Sequence, residues 1–228
     1  HADPGRFYGG SLANSDLPDA SRLLSKMVVL GDSTAYTVFP LIPVDSIGLS
    51  TRTVALVSDV ERRFDESNPG HFRLWNVRFL LLPKPLPPQV PANRLAGNDW
   101  VVLYSVDGVN GHYLSVVDTV SPSIAFDRVD IGRRNDRFLA SDDITQNRRP
   151  VVAFDGDPAA VPTLPAGAQP ADSPGRVRNE RNDLEDGRFV ADVRMSRRAA
   201  VVLSAGYHPR MEAFVDGRQT KTEMVAPG

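Results

Sequence analysis

Residues Gly187–Gly228, GRFVADVRMSRRAAVVLSAGYHPRMEAFVDGRQTKTEMVAPG, decide the fold class of this chain. Short runs of valine, phenylalanine and alanine recur here, separated by glycine, proline and Asp-Gly, a pattern typical of β-strands joined by tight turns. The strongest signal is Asp216-Gly217, which predicts a two-residue hairpin turn with positive φ. The pattern predicts a β-sandwich resembling a jelly roll, rather than alternating strands and helices.

Working outward, the rest of the chain predicts two further parts. Residues 1–158 mix short apolar runs with helix-start signals, which predicts a mixed α/β domain. Residues 159–175 are rich in proline, alanine and glycine and indicate a linker before the β-sandwich module of 176–228. The expected fold class is α+β, mainly β. Such a module should need further strands after Gly228, and the chain opens on His1 without an initiating methionine, so we expect a segment of a larger protein.

Three segments before the linker carry specific predictions. His71–Leu82 (HFRLWNVRFLLL) is the most apolar stretch, and its Phe, Trp, Val and Leu content favours a strand. Residues 99–106 (DWVVLYSV) and 112–117 (HYLSVV) predict two antiparallel strands. A polar segment follows, and a helix is expected to start near Asp142.

The composition excludes several function classes. The 228 residues carry 26 basic and 28 acidic side chains, so a formal net charge of −2 gives no whole-chain attraction for nucleic acid. The chain has no cysteine, which excludes disulfides, thiolate metal sites and a cysteine nucleophile. Arginine pairs at 133–134, 148–149 and 197–198 favour solvated surface charge, with a patch that faces phosphates or lipid headgroups as the alternative.

One set of residues resembles the motifs of SGNH-type hydrolases. Val29–Ser33 (VLGDS) resembles the nucleophile block, Gly97-Asn98-Asp99 an internal block, and His208-Pro209 the final one. A serine nucleophile needs a base, and the base needs an orienting carboxylate, but Ala205 stands where that carboxylate is required. We therefore predict no catalytic residue, and an esterase is the third functional alternative.

Metal and nucleotide sites have no support in the sequence. The four histidines are dispersed, without a His-x-His pair or a spacing of four residues, and no calcium-loop pattern appears. No glycine-rich phosphate loop is present either. We predict no metal and no cofactor.

Aromatic side chains offer a candidate binding surface. Trp75 and Trp100 lie in apolar runs and are expected in the core. Tyr207, in contrast, lies in a Gly-Tyr-His-Pro bend, and such bends are surface features that often carry function. The predicted ligand-binding residues are Tyr207, His208, Arg210 and Asp216. The alternative is that Tyr207 only attaches the turn to the core.

Several stretches together resemble the extracytoplasmic C-terminal region of YfhO-like, GT-C-type integral membrane proteins of actinobacteria. The last stretch is the most specific, although Met211 stands where relatives have a tryptophan. The matching segments cover much of the chain: Val44–Thr53 (VDSIGLSTRT), Glu61–Pro69 (ERRFDESNP), Phe72–Pro83 (FRLWNVRFLLLP), Gly111–Thr119 (GHYLSVVDT) and Ala200–Gly217 (AVVLSAGYHPRMEAFVDG).

The resemblance implies a parent membrane protein that uses, or descends from one that used, a polyprenyl-phosphate sugar donor. The catalytic carboxylate of such enzymes lies near the first membrane helices, so no catalytic residue transfers to this chain. The implied function is a non-catalytic domain on the extracytoplasmic face of the cell membrane that binds or orients a glycan acceptor. Expected partners are a cell-wall glycan or polyprenyl-linked sugar and the parent membrane domain, and no nucleic acid. The main alternative is a structural or protein-interaction module.

Overall fold

The computed structural model describes residues 6–8, 64–125, 127–154, 163–165, 172–183, 186–205 and 210–227. Most of the regular structure in these ranges is β-strand, which confirms the predicted α+β, mainly β class. The chain forms two compact units, and we call the part described by 6–8 and 64–112 unit 1 and the part from Tyr113 onward unit 2. The units thus divide at Tyr113, whereas the predicted boundary lies in the 159–175 segment.

Unit 1 contains one sheet of four strands and one short helix. The helix α1 spans Pro69–Leu74. The strands follow the order β1-β2-β4-β3 in the sheet, with β1 parallel to β2 and the other pairs antiparallel. The strand bounds are β1 Arg6–Tyr8, β2 Val77–Pro83, β3 Ala92–Gly97 and β4 Val101–Val106. The main buried cluster consists of Phe72, Val77, Leu80, Leu82, Val90 and Val106.

The strand predicted over His71–Leu82 is wrong in its first third, where the chain is helical. Asn68 caps α1, because its Oδ1 accepts a hydrogen bond from the Gly70 N–H at 2.9 Å, and Pro69 occupies the first turn, where a missing N–H costs nothing. Asn76 then takes a positive φ of 55° and turns the chain into β2. The apolar run therefore serves two elements, and local capping outweighs β propensity.

The predicted hairpin between residues 99–106 and 112–117 does not form. Strand β4 lies between β2 and β3 in the sheet, so neither of its edges is free for another strand. Gly108 and Gly111 both take positive φ, 75° and 81°, and the Gly111 carbonyl accepts a hydrogen bond from Asn76 Nδ2 at 2.9 Å. Asp107 and Gly108 do form a turn, but among the described strands none that follows this turn pairs with β4.

Unit 2 is built on a second sheet with the strand order β12-β6-β5-β9. Its long strand β5, Leu114–Ala125, runs parallel to β6, Arg148–Phe154. Strand β9, Ala200–Leu203, pairs antiparallel with β5, and β12, Met224–Val225, pairs antiparallel with β6. The strands of the predicted 176–228 module therefore complete a sheet that begins well before the predicted linker.

A helix, α2, spans Arg128–Leu139 between β5 and β6. Asp127 caps it, because its Oδ1 accepts from the Asp130 N–H at 2.8 Å. Ile131, Phe138 and Leu139 form its buried face. The helix predicted near Asp142 is wrong, since that segment is a series of turns. The high polarity of 127–139 concealed a helix that buries only a narrow stripe.

The described residues of unit 2 form two further pairs of strands. Strands β7, Gly175–Asp183, and β8, Arg188–Met195, form a long antiparallel ribbon. Strands β10, Ala213–Val215, and β11, Arg218–Thr220, form a short hairpin. Within the predicted linker, Thr163 forms a bridge to Thr119 of β5.

The Asp216-Gly217 turn is confirmed. Val215 pairs directly with Arg218, and Asp216 and Gly217 both have positive φ, 50° and 76°. No atom lies within 4 Å of the position that a Cβ on Gly217 would occupy, so a side chain there meets no steric obstacle. The need for glycine is therefore conformational.

We expect Gly217→Ala to lower the free energy of unfolding by about 1 kcal/mol, because alanine resists the positive φ that this turn needs. Urea unfolding measures the change. Gly217→Asn is the matched control, since asparagine tolerates the left-handed region and should recover part of the loss. Equal stability of the alanine variant and the original chain would contradict the argument.

Arg149 on β6 is an unusual member of the unit 2 core. Its side chain is buried, and its Nη1 donates to the Ala226 carbonyl at 3.2 Å. It has no carboxylate partner within 4 Å in the part of the chain that the structure describes. Burial lowers the pKa of Arg149 to about 10, because desolvation disfavours the charged guanidinium.

We expect Arg149→Met to leave the free energy of unfolding at neutral pH unchanged or to raise it by up to about 2 kcal/mol, because an apolar side chain of similar length avoids desolvating a cation. Arg149→Ala should lower it through lost packing.

Since the folded-state pKa of Arg149 is depressed, folding is opposed by the burial of its charged form below pH 10. The original chain should therefore gain stability relative to the Met variant as pH rises through 10. Urea unfolding across that range tests both points, and a loss above about 1 kcal/mol in the Met variant at neutral pH would refute them.

Candidate functional site

The structure places only part of the predicted binding set. Tyr207 and His208 lie outside the described residues, as does Ser33 of the hydrolase-like motif. Arg210 is exposed and precedes β10, and Asp216 is exposed in the turn that follows β10. These two residues therefore stand at opposite ends of one short strand, and their grouping into a site stays a prediction.

Trp100 was expected in the core, and this expectation is wrong. Its side chain is 69 % exposed, the highest fraction among the large apolar residues of the described chain. It lies in the turn between β3 and β4. Trp75, in contrast, is partly buried and packs against the unit 1 core, as predicted.

Asn98 holds the backbone of this turn in place. Its side-chain Oδ1 accepts hydrogen bonds from the backbone N–H groups of Trp100, at 2.8 Å, and Val101, at 2.9 Å. Its own backbone N–H donates to the Val101 carbonyl at 2.9 Å. Asparagine is favoured in such turns because a short amide side chain can satisfy backbone N–H groups locally. This structural role accounts for the Gly-Asn-Asp sequence without any catalytic chemistry.

Two neighbours complete the Trp100 turn. A Cβ on Gly97 would lie 2.9 Å from the Val101 carbonyl oxygen, so the close approach of the two strands requires glycine there. Lys84 crosses beside the turn, and its backbone N–H donates to the Trp100 carbonyl at 2.8 Å. The Lys84 ammonium lies 3.9 Å from Asp99 Oδ1, with both side chains largely exposed. The backbone on both sides of Trp100 is therefore fixed by hydrogen bonds.

The turn thus carries an exposed apolar ring at Trp100, a carboxylate at the preceding residue Asp99, and an ammonium group from Lys84, whose backbone is bonded to the Trp100 carbonyl. A ring on a hydrogen-bonded turn can stack on a flat apolar face of a ligand with little loss of conformational entropy. Lys84 can donate hydrogen bonds at its edge, and Asp99 can accept them. Stacking with flanking polar contacts is chemistry for binding a polar ligand that also has an apolar face.

The sequence contained a signal for the exposure of Trp100. Asn-Asp-Trp follows Gly97, and Gly-Asn-Asp is a turn sequence, so Trp100 could have been assigned to a turn. That assignment needs a strand before the turn, and β3 (ANRLAG) has too few β-branched or aromatic residues to predict one. Without β3, the run from Trp100 to Val106 resembles a single buried strand.

The titratable groups of the described residues show no other centre. These residues include no group of three or more histidine, aspartate or glutamate side chains placed to hold a metal ion. His71 is buried, and its Nδ1 accepts from the Asp65 N–H at 2.9 Å. Hydrogen bonds from the Ser67 side chain and backbone lower the pKa of Asp65. Both residues stabilise the segment that leads into α1.

In comparisons with known proteins, no protein-family model, curated protein or solved structure matches the chain. Among the described residues, neither helix has the length and apolar character that crossing a bilayer requires.

We expect Asn98→Ala to lower the free energy of unfolding by about 1 kcal/mol, because it removes the acceptor for two backbone N–H groups. It should also increase the mobility of the Trp100 ring, seen as lower fluorescence anisotropy. Asn98→Asp is the control, since its carboxylate keeps the acceptor and should preserve the anisotropy. If alanine and aspartate behaved alike, Asn98 would not hold the turn.

Proposed function

We propose that this chain is a non-catalytic extracytoplasmic domain that binds or orients a glycan acceptor for a glycosyltransferase-like membrane protein of the cell envelope. The exposed Trp100, held on a fixed turn beside Lys84 and Asp99, is the observation that carries the proposal. The resemblance to YfhO-like, GT-C-type proteins supports the extracytoplasmic location and the glycan chemistry.

Trp100 contributes little burial free energy to the fold, because most of its side chain stays in water. An exposed large apolar ring keeps its surface in water, whereas burial of an indole is worth several kcal/mol. The adjacent hydrogen bonds run through the backbone and Asn98, so a smaller side chain at position 100 would keep them. A solvated ring that the turn does not require is available to stack on a ligand.

A sugar suits this surface better than a purely apolar ligand. Sugar rings combine an apolar C–H face with hydroxyl groups around the edge, and the ring of Trp100 is matched to the former. The hydroxyls can accept from the Lys84 ammonium and donate to the Asp99 carboxylate. The turn is open to solvent, which suits one residue of an extended glycan.

We expect arabinan, mannan or galactan fragments to change the tryptophan emission in a saturable manner. The dissociation constant should be at or below about 1 mM, equivalent to about −4 kcal/mol. The chain has two tryptophans, so Trp75→Phe isolates the Trp100 signal. Trp100→Ala, followed by NMR of the protein with glycan, should abolish the shifts and leave the melting temperature unchanged.

Phe214→Ala is the matched control, because it removes another exposed aromatic ring from a different unit. Tyr207→Ala tests the bend predicted from the sequence. Retained binding in Trp100→Ala together with loss in Tyr207→Ala would move the site to that bend. No shift with any glycan, or equal loss in the Phe214 control, would contradict the proposed function.

A protein-interaction module is the second candidate, and one observation favours it. Phe214 and Val215 are neighbours on β10, and both side chains are about three-fifths exposed. Successive strand residues point to opposite faces, so both faces of this hairpin present apolar surface to solvent. If the chain binds no glycan and self-associates in sedimentation experiments, and Phe214→Ser abolishes that association, this candidate replaces the first.

A further inference from the structure

The β7–β8 ribbon has one face made largely of arginine. Residues directly opposite each other in an antiparallel pair project to the same side. The register pairs Arg176 with Arg194, Arg178 with Asp192, Arg181 with Val190 and Asp183 with Arg188. We call this side the outer face; it carries five arginines and two aspartates, and its arginines are all exposed.

A β-bulge increases the basic character of the outer face. Between Arg178 and Arg181, two residues of β7 oppose one of β8. With strict alternation, Glu180 would share the side of Arg178, and Arg181 would point the other way. Because of the bulge, in which Asn179 has a φ of 51°, the Arg181 guanidinium lies on the outer face and the Glu180 carboxylate lies on the inner side.

The opposite side of the ribbon is fixed to β5. The Glu180 carboxylate accepts from the N–H groups of Tyr113, at 2.7 Å, and Leu114, at 3.2 Å. The Phe189 ring lies 5.5 Å from the Tyr113 ring. A Cβ on Gly175 would approach Val116 Cγ1 to 3.1 Å, so the backbone packs closely there. With its inner side anchored in this way, the ribbon presents the outer face to solvent.

The charges of the outer face are not neutralised within it. None of its five arginines lies within 4 Å of a carboxylate in the described ranges. Asp192 Oδ2 accepts from Asn179 Nδ2 at 2.6 Å, and Asp183 Oδ1 accepts from the Asp186 N–H at 3.1 Å. Arg176 and Arg194 face each other directly, and like charges in that position destabilise a sheet. Nothing in the packing of the ribbon requires that pair.

We propose that the outer face binds a linear anionic polymer whose charges are phosphate groups. Alternate residues of a strand lie about 7 Å apart and opposite residues about 5 Å, so the guanidinium groups form an extended double row rather than a cluster around one ion. Guanidinium groups match phosphate oxygens in pairs. Two-stranded ribbons twist strongly, so the row suits a flexible chain better than a flat bilayer.

The test uses the full 228-residue chain and inorganic polyphosphate as the probe. We expect saturable binding that weakens steeply between about 50 mM and about 200 mM NaCl, because released counterions oppose binding at higher salt. Arg176→Ala with Arg194→Ala should weaken binding about tenfold or more, since each arginine can make charge-assisted hydrogen bonds to phosphate. This double variant should unfold at the same or a higher temperature, because it removes a like-charge pair.

The control is Arg133→Ala with Arg137→Ala, which removes two exposed arginines of α2 and changes the net charge equally. Binding should stay within about twofold of the original chain. Equal weakening in both double variants, or no binding of polyphosphate at low salt, would overturn the proposal. Binding to phosphatidylglycerol–phosphatidylcholine vesicles without binding to polyphosphate would overturn it in favour of a membrane surface. The face lies in unit 2 and Trp100 in unit 1, so this result is independent of the glycan titration.

Discussion

The ion pair between Arg197 and Asp118 is the contact on which the arrangement of unit 2 depends. Arg197 Nε and Nη2 donate to the two carboxylate oxygens of Asp118 at 3.1 and 2.6 Å, and Nη2 also donates to the Asp172 carbonyl at 2.7 Å. Asp118 is buried on β5, so loss of its partner would leave an uncompensated charge. The hydrogen bonds to Asp118 raise the pKa of Arg197, because they favour its charged form.

The position of this pair explains how an exposed ribbon can be held rigidly. Asp172 comes just before β7 and Arg197 just after β8. Because Gly175 pairs with Met195, both lie at the open end of the ribbon, and one guanidinium joins the two strands there to β5. The Glu180 carboxylate attaches the ribbon to β5 a second time. The contacts of Glu180 and Asp118 therefore hold the ribbon without using the side chains of the outer face.

The sequence predicts the elements whose conformation is determined by neighbouring residues, and it fails where a distant strand determines the structure. The Asp216-Gly217 hairpin and the short strands expected within 187–228 depend on neighbouring residues, and the structure contains both. The pairing of β4 with β2 and β3, in place of the predicted hairpin, depends on strands that precede it in the chain, so no local pattern revealed it. The exposure of Trp100 has the same origin, because it follows from the pairing of β4 with a strand of weak β propensity.

The basic surface of the ribbon also could not be predicted from the sequence, because it depends on strand pairing. In each of the three arginine pairs visible in the sequence, at least one side chain makes a contact that stabilises the fold. Arg134 forms an ion pair with Asp130, the buried Arg149 donates to a backbone carbonyl, and Arg197 forms an ion pair with Asp118. The residues of the outer face are separated in sequence, and only strand register and a bulge place them together. A basic surface on a sheet is therefore a property of pairing and not of sequence runs.

Trp100 and the Arg176–Arg194 pair share a physical argument. Each places a side chain where stability alone favours a different residue: an apolar ring in water, and a cation opposite a cation. In each case the backbone is fixed by groups other than these side chains, by Asn98 in one unit and by Glu180 and Arg197 in the other. Because the backbone does not depend on these side chains, both positions are the basis of the binding surfaces proposed above. The two proposed surfaces differ in chemistry, one suited to stacking and the other to phosphate, so each calls for a different class of ligand.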